Sequence, residues 1–404
     1  MWCVLIVFLV IDSPVHAQPR RTVQHSLLAQ ELAASGFENI VARTSEAVTL
    51  VAFEDSRYRF SRRGMQEGIL RSIFHLPSRN TKVVFVVQKY GIPIVTLEST
   101  RVTRVTSAQH SRPLAVPLLS QSPASDRLNR ALPRWPRTNA SRFKTDVIVH
   151  PDFKARLGEY DNPVAVQVNL KPELRTQLAD GLVVSASLLV PLYNELDRSG
   201  DYVRVGPSHL NVLNRLRRDT FWFVNLGYFY DNRYGVHGGI RKYVFRGKIL
   251  LDARAGYTGY AEMDKGIFLY DPPQDVTYSV SGTLFMRRLQ LFLKAGYHQF
   301  IFQDQGFRFD LYRFFREFRF GLWATTSDNE LNGGFRLSIP LPPRQYGIRQ
   351  YVRLRPSSYF DIGYQGKRNS TAGRVLRANE LFDDMLIRHH PAYLETQLGR
   401  LESK

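Results

Sequence analysis

Between residues 143 and 364 apolar and polar positions alternate with period two, the signature of strands with two unlike faces. In 248–260, Ile249, Leu251, Ala253, Ala255 and Tyr257 fall on one side. Lys248, Asp252, Arg254 and Thr258 fall on the other. In 289–300, Leu289, Leu291, Leu293, Ala295 and Tyr297 oppose Gln290, Lys294 and His298. In 331–339, Leu331, Gly333, Phe335, Leu337 and Ile339 oppose Asn332, Arg336 and Ser338. In 312–325, Tyr312, Phe314, Phe318, Phe320 and Leu322 oppose Arg313, Glu317, Arg319 and Thr325. The pattern predicts 12 strands, near 145–150, 162–171, 181–194, 206–214, 220–230, 234–244, 247–261, 276–286, 289–302, 311–325, 330–340 and 351–364.

The rest of the chain follows other rules. Residues 24–104 predict a small α/β module: helix at 25–35, strands at 38–42 and 47–53, helix at 64–76, strands at 82–88 and 92–97. Residues 105–142 hold Pro113, Pro117, Pro123, Pro133 and Pro136 without a period and predict a linker. Residues 365–404 predict a charged helical tail. At the N-terminus, ten apolar residues at 2–11 precede Val15-His16-Ala17. That is the pattern of an export signal over 1–17, too short to span a bilayer.

A soluble sandwich has the same period two. Three features favour lipid outside the sheet. The strands run to ten residues or more, the length a tilted membrane strand needs. Tyr228, Tyr230, Tyr234, Tyr257, Tyr260, Tyr297 and Tyr312 gather near strand ends, as an interfacial girdle requires. An export signal precedes them. The expected fold class is mainly β: a transmembrane antiparallel β-barrel of about 12 strands with a small N-terminal periplasmic α/β domain.

Charge and chemistry narrow the function. Of the 404 residues, 55 are Lys or Arg and 36 are Asp or Glu, a net charge of +19, which points to an acidic neighbour. The single cysteine, Cys3, excludes a disulfide framework and Cys-based zinc. No phosphate-cradling glycine loop or nucleophile elbow appears. His389-His390 and Asp383-Asp384 are read as solvated helix-face pairs. Asp252, Glu317 and His237 are expected inside the barrel, where ion pairing is the expectation and catalysis is not. Neither enzymatic activity, metal, cofactor nor nucleic-acid partner is expected. The period places Arg241, Lys248, Arg254, Lys294, Arg313, Arg319 and Arg336 toward the lumen as anion-binding candidates. Phe292, Phe300, Phe315 and Trp323 are the candidates for stacking on sugar rings. A plugged interior, its charges paired with the linker, the loops or the tail, is the competing arrangement.

Several motifs occur in a characteristic order. Gly36-Phe37-Glu38-Asn39-Ile40 is followed by Phe53-Glu54-Asp55-Ser56-Arg57-Tyr58-Arg59 and Gly68-Ile69-Leu70-Arg71-Ser72. Later come Ser141-Arg142-Phe143, the 163–193 segment, 215–219, 235–241 and Ala255-Gly256-Tyr257. Last comes the run from Asn332 to Leu341, which ends Ser338-Ile339-Pro340-Leu341. Over residues 26–385 the chain resembles the YjbH family of outer-membrane exopolysaccharide-associated proteins, specifically the C-terminal half of its longer members. The resemblance implies an outer-membrane barrel with its α/β module in the periplasm, acting in export or surface assembly of an exopolysaccharide or capsule. It implies membrane lipid, lipopolysaccharide, polysaccharide, and periplasmic or lipoprotein partners, and it carries over no catalytic residue. The alternatives are a non-conducting scaffold and an outer-membrane enzyme acting on glycan or lipid.

Overall fold

A computed structural model describes residues 23–44, 48–74, 82–99, 123–157, 164–196, 198–217, 219–328, 330–365 and 371–398. The expected export signal and the first part of the expected linker lie outside them.

The N-terminal module follows the expected order: α1 (Val23–Ala34), β1 (Phe37–Thr44), β2 (Val48–Asp55), α2 (Ser61–Phe74), β3 (Lys82–Lys89) and β4 (Ile92–Ser99). The strands pair in chain order. The β2–β3 pair is parallel because α2 makes the crossover; the other pairs are antiparallel. One face of this sheet, with Phe37, Phe53, Phe85 and Val87, packs on Leu28 and Leu32 of α1 and on Met65 and Ile69 of α2. Gly68 is a packing requirement: a Cβ there would meet the Phe53 ring at 2.4 Å. The other face carries Val41, Leu50, Ala52, Val84 and Val86 and is closed by Leu132. The second part of the expected linker is therefore structured. It holds α3 (Pro123–Ala131) and the 3-10 turn Leu132–Arg134, and Thr138 bridges to Ile40. Its apolar residues, Leu128, Leu132 and Trp135, were enough to cover a sheet face.

The large sheet uses β5 (Thr145–Leu157), β6 (Val164–Ala179), β7 (Leu182–Asn194), β8 (Arg204–Val205), β9 (Ser208–Arg215), β10 (Thr220–Tyr228), β11 (Arg233–Val244), β12 (Ile249–Asp264), β13 (Ile267–Tyr270), β14 (Asp275–Met286), β15 (Leu291–Gln299), β16 (Gln305–Phe315), β17 (Phe318–Ser327), β18 (Glu330–Pro340), β19 (Val352–Pro356) and β20 (Tyr359–Gln365). Its hydrogen-bonded path runs β19-β5-β6-β7-β9-β10-β11-β12-β14-β15-β16-β17-β18-β20, with β8 and β13 off the path. The path does not return on itself, yet its two ends are consecutive in the chain. Ser357 N–H donates to Val149 O beside the first strand, and the Ser358 carbonyl accepts from Leu341 N–H after β18. The protein is thus mainly β, and no described helix is long and apolar enough to cross a membrane.

The path holds 14 strands where the pattern predicts 12. The expected strand at 311–325 is a hairpin, β16 turning at Arg316-Glu317 into β17. Partners across it, such as Arg313 with Phe320, exchange odd and even positions. Tyr312 and Phe314 therefore face the same side as Arg319, and Arg313 and Phe315 face the other. The expected strand at 351–364 is divided into β19, parallel to β5, and β20, antiparallel to β18.

The two faces of the large sheet are inverted relative to a soluble protein. Leu226, Ile240, Leu251, Val280, Leu293 and Leu322 are exposed, Val280 to 65%. Asn225, His237, Arg241, Asp252, Thr283 and Thr325 are buried. Exposed aromatics mark both strand ends: Tyr257, Tyr260, Tyr297 and Phe307 at one rim, Phe143, Phe245, Phe315 and Tyr351 at the other. Tyr312 departs from the expected girdle; it stacks on Phe292 at 4.8 Å on the polar side.

Candidate functional site

The polar face is occupied. The tail enters at one rim, where Gly373 N–H donates to Asp304 Oδ2 at 2.6 Å and Ile301 N–H donates to the Arg374 carbonyl. It then forms α4 (Glu380–Arg388) and α5 (Pro391–Leu398) and leaves at the other rim, where Glu395 pairs with Arg287. Within residues 383–390 the tail touches widely separated strands. Asp383 meets β11 and β12, Asp384 meets β17, Arg388 lies 3.6 Å over the Tyr359 ring of β20, and His390 packs on Phe285 and Phe292 of β14 and β15. A helix about 10 Å across reaches all of these only if the polar face curves round it.

The charged centre follows from strand register. Arg241 and Asp252 are cross-strand partners, and Arg254 lies two residues beyond Asp252 on the same face. Arg241 Nε donates to Asp252 Oδ2 at 2.7 Å, and Arg241 Nη2 to Asp383 Oδ1 at 2.8 Å. Arg254 grips Asp383 with two bonds of 2.8 Å and also donates to Asp252. Two arginines and two aspartates leave no net charge there. A second contact joins Arg319 to Asp361 at 3.6 Å and to Asp384 at 3.5 Å; Asp384 also accepts from Arg388 at 2.7 Å. Asp383 and Asp384, expected as a solvated pair, thus hold the tail to the wall. Burial alone would raise both carboxyls, but the arginine partners outweigh it and hold them below the usual range.

His389 and His390 are likewise buried instead of solvated. His389 Nδ1 lies 2.8 Å from the Met385 carbonyl, and burial pulls its pKa down to about 4. His390 sits edge-on to Tyr243 and Phe292. Helix α4 ends before Pro391, so both rings turn inward into an aromatic pocket that helical periodicity did not reveal.

The sequence-predicted candidates divide as follows. Arg241, Arg254, Lys294 and Arg319 lie on the polar face with the tail, and Arg336 shares its side with buried Asn332 and Ser338. Lys248 is exposed on the turn between β11 and β12, off the sheet. Arg313 is exposed on the apolar side, its guanidinium 5.0 Å from the Phe315 ring. Phe315 is on that side too. Phe292 is fully buried under Tyr312, His390 and Tyr393, so the tail covers its ring. Phe300 is buried and stacked with His298. Trp323 faces inward under Arg308 at 4.8 Å. Of the expected interior acids, Asp252 lies where predicted with His237 beside it, whereas Glu317 sits on the β16–β17 turn and accepts from Arg59 at 2.6 Å.

Sequence reasoning missed Arg308 with Asp310, Lys171 with Tyr230, and the module's seat. The first pair follows from alternation once β16 is started at Gln305 in place of 311. At the seat, Arg137 forks onto Asp180 at 2.6 and 2.7 Å, Gly181 N–H donates to the Tyr90 carbonyl, and Arg349 pairs with Glu38. Gly181 has φ +71 and its Cα faces the Leu213 carbonyl so closely that a Cβ would sit 1.9 Å from it. The module therefore caps the rim from which the short strand turns project. Among the described residues no group of His, Cys, Asp and Glu is arranged to hold a metal ion.

A sheet with an exposed apolar face, a buried charged face and a capping α/β module defines a class of two-part β proteins. The family model YjbH, described as "Exopolysaccharide biosynthesis protein YbjH", matches residues 9–342, more than four-fifths of the chain. The chain belongs to that family. Neither a curated protein nor a solved structure matches in the parallel comparisons. Helices α4 and α5 lie beyond the matched residues, so the family assignment is silent about the tail.

Proposed function

We propose that the chain is an outer-membrane β-barrel that assists export or surface assembly of an acidic exopolysaccharide, with its N-terminal module in the periplasm. The carrying observation is the inversion of the large sheet. Leu226, Ile240, Leu251, Val280 and Leu322 are stable on an exposed face only against lipid, and the opposite face is polar. Lipid admits only closed backbone hydrogen bonding, so the consecutive strands β19 and β20 are read as the closure. The two aromatic rims and the short turns on the module side fit a barrel whose periplasmic end is capped. The family name supplies the polysaccharide. Lipid and lipopolysaccharide would contact the exterior, and a periplasmic or lipoprotein component of the export system would dock on the module.

A second reading has its own observation. The tail lies along the whole polar face and neutralises Arg241, Arg254 and Arg319. A permanently plugged barrel would be a scaffold whose working part is the module. Membrane fractionation, heat-modifiable gel migration and assay of exported uronic acid in a deletion strain test the main reading. Complementation separates the two. If the interior matters, Arg254→Glu lowers export; if the barrel is only an anchor, Arg254→Glu is silent and deletion of 24–104 abolishes export. A chain found outside the outer-membrane fraction sinks both.

A further inference from the structure

Beside the Arg241–Asp252–Arg254–Asp383 cluster the polar face leaves an open cavity lined by His237, Arg254, Thr277, Ser279, Lys294 and His298. Its walls come from the sheet. Arg254, Ser279 and His298 form one row across β12, β14 and β15, and Lys294 lies two rows along the same face of β15. Thr277, Ser279, Ser281 and Thr283 put a column of buried hydroxyls on this face of β14. Val375 and Leu376 of the tail close the cavity from the other side.

Two features leave polar groups of this set without a partner from the protein. Lys294 lies among Arg254, Asp252, Asp310 and Asp383 yet, among the described residues, forms no ion pair or hydrogen bond with any of them. His298 is 4% exposed, and its Nε2 has no partner among the described residues; nor does Ser281 Oγ beside it. A buried polar atom without a partner costs free energy, and such exceptions call for a partner the protein itself does not supply.

We propose that this cavity binds one acidic sugar residue, with Lys294 receiving its carboxylate and Thr277, Ser279 and His298 receiving its ring hydroxyls. The chemistry is specific. An unpaired ammonium recognises an anion, and a row of hydroxyls with an imidazole recognises a vicinal diol through two-way hydrogen bonds. Arg254, already saturated by Asp252 and Asp383, fixes the wall. Leu376 is the apolar lid. The inference rests on the export reading above and gives it a substrate class, a uronate-bearing polysaccharide.

The test uses the full chain in detergent, with trigalacturonate as probe and maltotriose as the neutral control, read by calorimetry. The expected result is saturable binding of trigalacturonate only, weakened at least tenfold by Lys294→Gln and severalfold by His298→Gln. Leu376→Trp leaves Lys294, Ser279 and His298 in place; it fills the cavity from the tail and is expected to abolish binding in a chain that keeps heat-modifiable migration. No saturable binding, equal affinity for maltotriose, or wild-type affinity in Lys294→Gln overturns the proposal. Fractionation of the producing cells keeps the two failures apart. A chain in the outer membrane that binds no uronate refutes the site alone. A chain elsewhere refutes the export reading whatever it binds.

Discussion

The two sheets of this protein share one period and bury opposite kinds of side chain. In β3, Val83, Phe85 and Val87 bury on one side against α1 and α2, while Val84 and Val86 bury on the other against Leu132. In β14, Val276, Tyr278, Val280 and Leu284 stand exposed while Thr277, Ser279, Ser281 and Thr283 are buried. The module removes apolar groups from water on both faces, as any small α/β unit must. The large sheet does the reverse on one face, and the exposed apolar belt has a rationale only if its solvent is not water. The same substitution logic should therefore give opposite results in the two regions.

The largest effect is expected in the module. Phe53 is fully buried, edge-on to Phe37 at 5.4 Å and fitted against Gly68. Phe53→Ala removes that ring and leaves a cavity, at a cost of about 3–5 kcal/mol. Hydrogen exchange should show faster opening of β2 and β3 with the large sheet unchanged. Protection lost in both regions together would mean that the two sheets form one cooperative unit.

Next comes the apolar belt. Leu251 is 48% exposed. In water Leu251→Arg would be nearly neutral. Against the middle of a bilayer it costs about 2–4 kcal/mol, enough to stop assembly. The expected outcome is loss of the heat-modifiable band, whereas Arg254→Leu, on the polar face, assembles. Assembly of Leu251→Arg at wild-type level would return the large sheet to the class of soluble β structures.

How much of this was legible in the sequence depends on where the period was interrupted. The module's six elements could be read because each apolar run ends at a clear break, such as Gly36 or Tyr90-Gly91. Leu251 and Arg254 could be placed because β12 alternates over its length without a bulge. Arg313 and Phe315 were misplaced because the two-residue turn at Arg316-Glu317 exchanges odd and even positions inside what reads as one continuous aromatic segment. The tail was the larger loss. Asp383, Asp384 and His390 look like surface residues on a short polar helix; only their partners in β11, β12, β15 and β17 make them interior. Such contacts join residues far apart in the chain and leave no local trace. The ligand-facing part of the interior is therefore half legible: alternation supplies Arg254 and Lys294, but it cannot tell which cation the tail has already neutralised.

That distinction can be sharpened with the tail itself. Asp383 bridges Arg241 and Arg254, and Asp384 bridges Arg319 and Arg388. Replacing both by Asn removes two partly exposed anchors, worth about 1–2 kcal/mol of tail docking together. The wild-type chain in planar bilayers should be nearly silent, and Asp383→Asn with Asp384→Asn should conduct, favouring anions because Arg241 and Arg254 are then left with Asp252 alone and Arg319 with Asp361 alone. A silent double variant with a folded, heat-modifiable barrel would make the tail a permanent filler and favour the scaffold reading.

The smallest effect belongs to the module and tests whether its stability is set by ordinary aqueous burial. Asp55 ends β2, and its Oδ1 accepts from the N–H groups of Arg57 and Tyr58 at 2.9 and 3.0 Å. Burial pushes its pKa up to about 6 from 3.8, more strongly than those bonds and the nearby Lys89 pull it down. A carboxyl raised in the folded state holds its proton better folded than unfolded. Its contribution to stability is full below about 3.8 and is lost as pH rises through about 6. Between pH 7 and pH 5 this group should stabilise the module by about 1 kcal/mol, allowing for its partial exposure. Asp55→Asn keeps the oxygen that accepts both N–H groups and removes the titration. Hydrogen exchange of β2 and β3 amides should then become flat across that interval, and more protected than wild type at pH 7. A variant with the wild-type pH slope would rule out Asp55 as its source and turn attention to the contacts that tie the module to the large sheet, such as Arg349 with Glu38. Module stability would then depend on its seat on the rim, and the two sheets would be less independent than their opposite burial patterns imply.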